Sequence, residues 1–283
     1  MTGAAQYERL AQRCADLVVR HYSTSFSWAT RALPRQQRTD VRNVYALVRL
    51  ADEIVDGAAG PQERAAALTL LEEETQRAMA CGYSSNPLVH AFAGTARRCG
   101  IDGALTQPFF ASMRTDLDHA RHDRASFDRY VHGSAEVVGL MCLRVLLVDL
   151  PAPQRERRYE ELAPGARALG AAFQKINFLR DLGDDAERLG RRYFPGVDPA
   201  RLSESDKAAI LAEIDADLRA GTAAIAGLPP AGARAVRLAA ALFADLAERL
   251  RRTPASQLTQ GRVRVPTVAK VRLATLALVG RER

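Results

Sequence analysis

The stretch VYALVRLADEIVDG (44–57) decides how the rest of the chain is read. Its apolar residues recur at helical spacing, which predicts a helix with one face in a core. Yet Asp52, Glu53 and Asp56 crowd its C-terminal end beside Arg49. The free carbonyls of a helix C-terminus already carry partial negative charge, so acids there oppose the dipole. Asp52 and Asp56 fall on one helix face, about 6 Å apart along the axis. With Tyr45 and Arg49 they make one polar stripe on an otherwise apolar helix. Alone, such a stripe fits a solvated face as well as a ligand-binding one.

The stretch ALGAAFQKINFLRDLGDDAERLGRRYFPG (168–196) repeats the arrangement. Read as one helix over about 158–188, it places Gln174, Asn177, Asp181 and Asp185 on a single stripe. Asp184 stands beside them, while Phe173, Ile176, Phe178 and Leu182 take other faces. Here too the acids are expected to follow an apolar run instead of opening a helix. Like charges brought together inside a protein repel, and desolvation adds to the penalty. Two DxxxD stripes therefore predict a compensating cation. The stripes offer oxygen ligands and no His or Cys, which points to Mg²⁺ (or Mn²⁺). Mg²⁺ binds through one or two carboxylates plus substrate phosphates, so the expected ligand is a phosphate or diphosphate ester. The favoured chemistry is ionisation of an allylic diphosphate, with the resulting carbocation shielded from water by an apolar cavity.

Composition sets the frame. The chain has 283 residues, 47% of them apolar and 26% charged, ample for a packed core. Helical periodicity recurs along its length and strand alternation is nearly absent, so the fold is expected to be all-α and a single domain over 1–283. Helices are predicted at about 5–21, 36–56, 62–80, 87–99, 103–119, 127–149, 158–188, 204–226, 229–251 and 265–280, with breakers between them. Only three of the forty basic residues are lysines, and the arginine excess is ascribed to base composition before ligand binding. Cys14, Cys81, Cys99 and Cys142 form no CxxC pair, which fits free thiols. The N-terminus has no signal-like apolar region, and the run VVGLMCLRVLLVDL is interrupted by Arg144 and is shorter than the roughly 20 residues of a membrane span. The expected setting is cytoplasmic, with peripheral membrane contact left open. No nucleic-acid motif is present, and nucleic acid is not an expected partner.

Four segments together carry a family likeness: YSTSFSWATRALP (22–34), YALVRLADEIVDG (45–57), YVHGSAEVVGLM (130–141) and ALGAAFQKINFLRDLGDDAERLGRRYFP (168–195). In order and spacing the chain resembles the squalene/phytoene synthase family of head-to-head prenyl transferases, most closely its bacterial phytoene synthase branch. The resemblance implies an isoprenoid-synthase helical bundle whose two acidic motifs face each other across a central cavity. It implies that two prenyl diphosphates are joined through a cyclopropyl diphosphate intermediate, in isoprenoid and carotenoid biosynthesis. By motif, Asp52, Asp56, Asn177, Asp181 and Asp185 would bind Mg²⁺, the four aspartates being the catalytic set. Arg49 would contact a diphosphate beside Tyr45, with Ser23 and Ser25 near the substrate phosphates. Tyr130 and Gln174 would line the upper cavity, and Arg262 would reach a phosphate from the C-terminal segment. Geranylgeranyl diphosphate is the expected substrate, giving phytoene without NADPH. Squalene or dehydrosqualene formation from farnesyl diphosphate is the alternative, and a non-catalytic assembly protein a second.

Some residues depart from the family pattern. Glu53 replaces the second Asp of the commoner DDxxD, Glu136 stands where many members have Gly, and Phe243 aligns roughly with a Tyr of several relatives. Glu53 is expected to support the site at most. The cluster DLDHARHDRASFD (116–128) reads as an ordinary polar helix end, although His119 and His122 could be imagined on a metal.

Overall fold

Helix boundaries follow the residues able to start and stop them. The computed structural model describes residues 3–118 and 121–259, the side chains of 24–26 excepted. Its α-helices are α1 (Gly3–Tyr22), α2 (Thr24–Ala29), α3 (Arg35–Asp56), α4 (Pro61–Cys81), α5 (Pro87–Cys99), α6 (Gly103–Thr115), α7 (Arg124–Val131), α8 (Val137–Leu146), α9 (Ala152–Arg180), α10 (Leu182–Leu189), α11 (Glu204–Ala224), α12 (Pro230–Arg252) and α13 (Ala255–Leu258). Among the described residues there is no strand, only an isolated bridge between Arg121 and Arg192. The Asn86 side chain caps α5 by accepting from Leu88 N at 3.0 Å, and Ser203 with Asp206 forms a capping box on α11. Gly82 and Gly100, at φ 82° and 74°, end α4 and α5 in the left-handed conformation that glycine adopts without strain. The all-helical expectation holds, and no helix of the described residues is long and apolar enough to cross a membrane.

Several boundaries differ from the sequence reading. The helix begun at 158 starts instead at Ala152, because Pro153 lies in the first turn, where its missing N–H has no partner to lose. The single helix expected over 127–149 is α7, a π-helical turn at His132–Glu136, and α8. The one expected over 158–188 breaks at Asp181, whose φ of −101° and ψ of 8° leave the helical region. The hydrogen bonds nevertheless run on: Asp181 N donates to Asn177 O at 2.9 Å, and Asp185 N to Asp181 O at 2.8 Å. Helix α6 ends at Thr115, and α2 lies within a segment for which no helix was expected. The helix predicted at 265–280 lies outside the described residues.

The two largest apolar clusters among the described residues organise the interior. One gathers side chains such as Val44, Leu47, Phe92, Phe109, Phe110 and Met141 from α3, α5, α6 and α8. The other gathers Phe127, Tyr130, Ile176, Phe178, Leu211 and Leu250 from α7, α9, α11 and α12. Helix α9 lies against the π-turn and α8 almost backbone to backbone. A methyl group at Gly170 would come within 2.5 Å of Ala135 O, and one at Gly139 within 2.5 Å of Ala166 O. Gly170→Ala is therefore expected to lower stability by roughly 1–3 kcal/mol through overpacking, read as a depressed melting temperature in thermal denaturation.

Candidate active site

The candidate residues meet at the seam between the two clusters. The C-terminal turns of α3 bring Arg49, Asp52 and Asp56; the turn after α6 brings Asp116; α7 and the π-turn bring Tyr130 and Ser134. Across from them, α9 and α10 supply Gln174, Asn177, Phe178, Asp181, Asp184 and Asp185. Together with Arg191, Tyr193 and others they line a cavity of about 970 Å³. Of the residues singled out in the sequence, Arg49, Asp52, Asp56, Tyr130, Gln174, Asn177, Asp181 and Asp185 share this one cavity. Ser23 and Tyr45 are not among its lining residues. The Ser25 side chain and Arg262 lie outside the described residues.

The first motif is rich in opposing charge. Arg49 is ion-paired with Glu53, lies 3.8 Å from Asp52 and caps the Tyr22 ring with its guanidinium carbon 4.2 Å from the centroid. Glu53 thus orients Arg49, in keeping with a supporting place. Burial pushes the Asp52 carboxyl up to about 7, against the pull of Arg49 and with repulsion from Asp56 adding to the rise. Burial also lifts Asp185 to about 6, with Asp181 adding to it, and Asp116 to about 6 despite Arg191. In the second motif, Arg180 Nε donates to Asp181 Oδ1 at 2.8 Å. The expectation that these acids merely trail an apolar run is corrected by the break at Asp181. Asp184 and Asp185 occupy the first turn of α10, where the helix dipole favours negative charge.

Three functional candidates escaped the sequence reading. Asp116, taken for part of a polar helix end, is buried, and accepts from the Tyr130 hydroxyl at 2.7 Å. Arg191, from the segment after α10, lies with Nη2 2.6 Å from Asp56 Oδ1 and Nε 3.4 Å from Asp116 Oδ1. The Tyr193 hydroxyl donates to Asp185 Oδ2 at 3.2 Å, and its ring stacks on Phe178 at 3.9 Å. Their one local signal is RRYFP directly after the second acidic motif; nothing in its periodicity says that the arginine turns inward. His122 stacks on Tyr130 at 4.9 Å, and His119 lies outside the described residues. Glu136 pairs with His132 Nδ1 at 2.8 Å and Arg167 Nε at 2.9 Å and is not a lining residue. Phe243 stacks on Phe173 at 4.0 Å, with no hydroxyl to offer.

The donor set fits a hard divalent cation shared with a ligand. Among the described residues no three acidic, His or Cys side chains converge as an all-protein cage. Instead the acids stand on separate walls, and Asp56 Oδ1 is buried without an aligned hydrogen bond. Asp52, Asp56, Asn177, Asp181 and Asp185 offer oxygens only, the set that suits Mg²⁺ completed by phosphate oxygens. An acid whose folded-state pKa is raised binds its proton more tightly when folded, so stability is lost as pH rises toward that value. In metal-free protein, Asp52→Asn is accordingly expected to gain stability over the wild type as pH rises from 3.8 to about 7, read from paired melting curves in EDTA.

Comparison with known proteins shows the family and the fold. The family model described as Squalene/phytoene synthase matches residues 19–269. Phytoene synthase 3, chloroplastic, of Zea mays is 34% identical over 199 residues, 69% of this chain and 45% of that protein. Phytoene synthase of Arthrospira platensis is 30% identical over 205 residues, 70% of this chain and 65% of its own length. The chain thus spans about half to two thirds of the curated relatives it matches. A dehydrosqualene synthase structure superposes with a TM-score of 0.80 at 20% identity, covering 97% of this chain and 98% of that one. Squalene synthase HpnC of Alicyclobacillus acidocaldarius gives 0.73 at 23% identity, covering 87% and 94%. Those two likenesses concern the fold, whereas the match over 19–269 concerns the sequence itself: the chain belongs to the squalene/phytoene synthase family.

Proposed function

We propose that the chain joins two prenyl diphosphates head to head, in a Mg²⁺-dependent reaction, and that the substrate is geranylgeranyl diphosphate and the product phytoene. The observation that carries the reading is the convergence of Arg49, Asp52 and Asp56 with Asn177, Asp181 and Asp185 on one cavity. Family membership and the phytoene synthase relatives support the choice of reaction.

The chain's own groups divide the work. Asp52 and Asp56 on one wall, and Asn177, Asp181 and Asp185 on the other, would hold Mg²⁺. When bound, the metal neutralises the diphosphate as charge develops on the breaking carbon–oxygen bond. Arg49, steadied by Glu53, presents guanidinium donors to a diphosphate oxygen. Val48, Met113 and Phe178 give part of the cavity wall an apolar surface that would keep water from an allylic cation. Attack by the second substrate's double bond and loss of a proton would close the cyclopropane. A second ionisation, rearrangement and proton loss would then give phytoene with no reductant. The released diphosphate can accept the final proton, so the reading requires no dedicated base and no NADPH.

Farnesyl diphosphate, giving dehydrosqualene or, with a hydride donor, squalene, is the second reading, because cavity depth and not the motifs sets chain length. Incubation with each diphosphate, Mg²⁺ and optional NADPH, followed by product identification, separates them. Phytoene is the expected product; a C30 product alone overturns the chain length, and no product with either substrate overturns the activity. Asp52→Asn and Asp181→Asn should each reduce turnover by about 10²–10³ or more while the helical circular dichroism is unchanged. Retained activity in both would remove the metal argument, and an inactive wild type of normal fold would favour an assembly role.

A further inference from the structure

Residues 190–195, GRRYFP, leave α10 without forming a helix. Gly190 turns the chain at φ 68°, and Arg192 forms the isolated backbone bridge to Arg121. Extended chain sends alternate side chains to opposite faces, so Arg191 and Tyr193 share one face and Arg192 takes the other. Burial follows this alternation: Arg191 and Tyr193 are buried, whereas Arg192 is partly exposed and lies 3.8 Å from Asp198.

The two inward side chains reach opposite walls of the cavity. Arg191 Nη2 stands 2.6 Å from Asp56 Oδ1 at the end of α3, and also donates to Asp116 O at 3.4 Å. Among the described residues, Arg191 is the one cation within 4 Å of Asp56. Tyr193 donates to Asp185 in α10 and is braced by Phe178. Residues two apart in extended chain have α-carbons about 7 Å apart at most, so one short segment is tied to both acidic motifs. The carboxylates on the two walls repel one another, and a site completed by a shared ligand needs its groups held to about 0.5 Å.

We propose that Arg191 and Tyr193 are positioning residues that set the separation of Asp56 in the first acidic motif from Asp185 in the second. The inference rests on the metal-binding reading given above. Arg191 performs this with a rigid planar fork that spans Asp56 and Asp116; a lysine would keep the charge but present it as a point. Tyr193 performs it through its hydroxyl, with the ring fixed by stacking.

The test is Mn²⁺ binding to the full chain in the presence of inorganic diphosphate, followed by electron paramagnetic resonance of the free ion. Arg191→Lys is expected to weaken Mn²⁺ binding about tenfold or more, as loss of an outer partner of a metal ligand does. Tyr193→Phe, which keeps the stacked ring, should weaken it several-fold. Lys175→Met, which removes the Glu213 and Asp217 ion pairs of Lys175 between α9 and α11, should lower the melting temperature and leave Mn²⁺ affinity alone. Wild-type affinity in both Arg191→Lys and Tyr193→Phe overturns the inference and leaves the metal reading standing. If Arg191→Lys does not fold by circular dichroism, Tyr193→Phe decides alone. A wild-type protein that binds no Mn²⁺ with diphosphate overturns the metal reading, and the inference with it.

Discussion

Carboxylates facing one another across a cavity repel, and this repulsion is the constraint around which the molecule is arranged. Asp52, Asp56, Asp116, Asp181, Asp184 and Asp185 all line one space. The chain answers them with Arg49, Arg180, Arg188 and Arg191 in the same lining. Six aspartates against four guanidinium groups leave the answer incomplete, and burial, with repulsion from neighbouring carboxylates added, drives Asp52 up to about 7 and Asp185 to about 6. A site left short of positive charge in this way is complementary to a divalent cation brought in with a phosphate ester.

The two motifs meet that constraint from opposite ends of a helix. In α3 the acids sit at the C-terminal end, against the dipole, and Arg49 and Arg191 supply the cations the carbonyl end favours. In α10 the acids sit at the N-terminal end, where the dipole supports them. The break at Asp181 makes this difference, for one uninterrupted helix would have put both sets of acids in mid-helix or at a C-terminus. Glycines at 139 and 170 let α9 lie close against the π-turn and α8, and so hold Gln174 3.3 Å from Ser134 Oγ at the cavity.

Much of this was legible from local pattern. Helical periodicity and glycine and proline punctuation give most helices, and the DxxxD spacing gives both motifs, because each is a property of neighbouring residues. What was missed depends on distant ones. Asp116 reads as a polar helix end until Tyr130 and Arg191 are seen to close over it. Arg191 lies in a segment whose pattern says only that a helix has stopped; its partners are more than seventy residues away or on another helix. The break at Asp181 hides because the hydrogen bonds at Asp181 and Asp185 continue through it. Product chain length is a matter of cavity depth, which no motif records.

The central claim is that both acidic motifs hold metal together with a diphosphate. Crystals of the full chain grown with Mn²⁺ and inorganic diphosphate, measured at the manganese absorption edge, test it directly. The account predicts anomalous peaks between Asp52 and Asp56 on one side and Asn177, Asp181 and Asp185 on the other, with diphosphate oxygens between them. Diphosphate seated in the cavity without manganese at these side chains, or manganese bound only elsewhere, would contradict it.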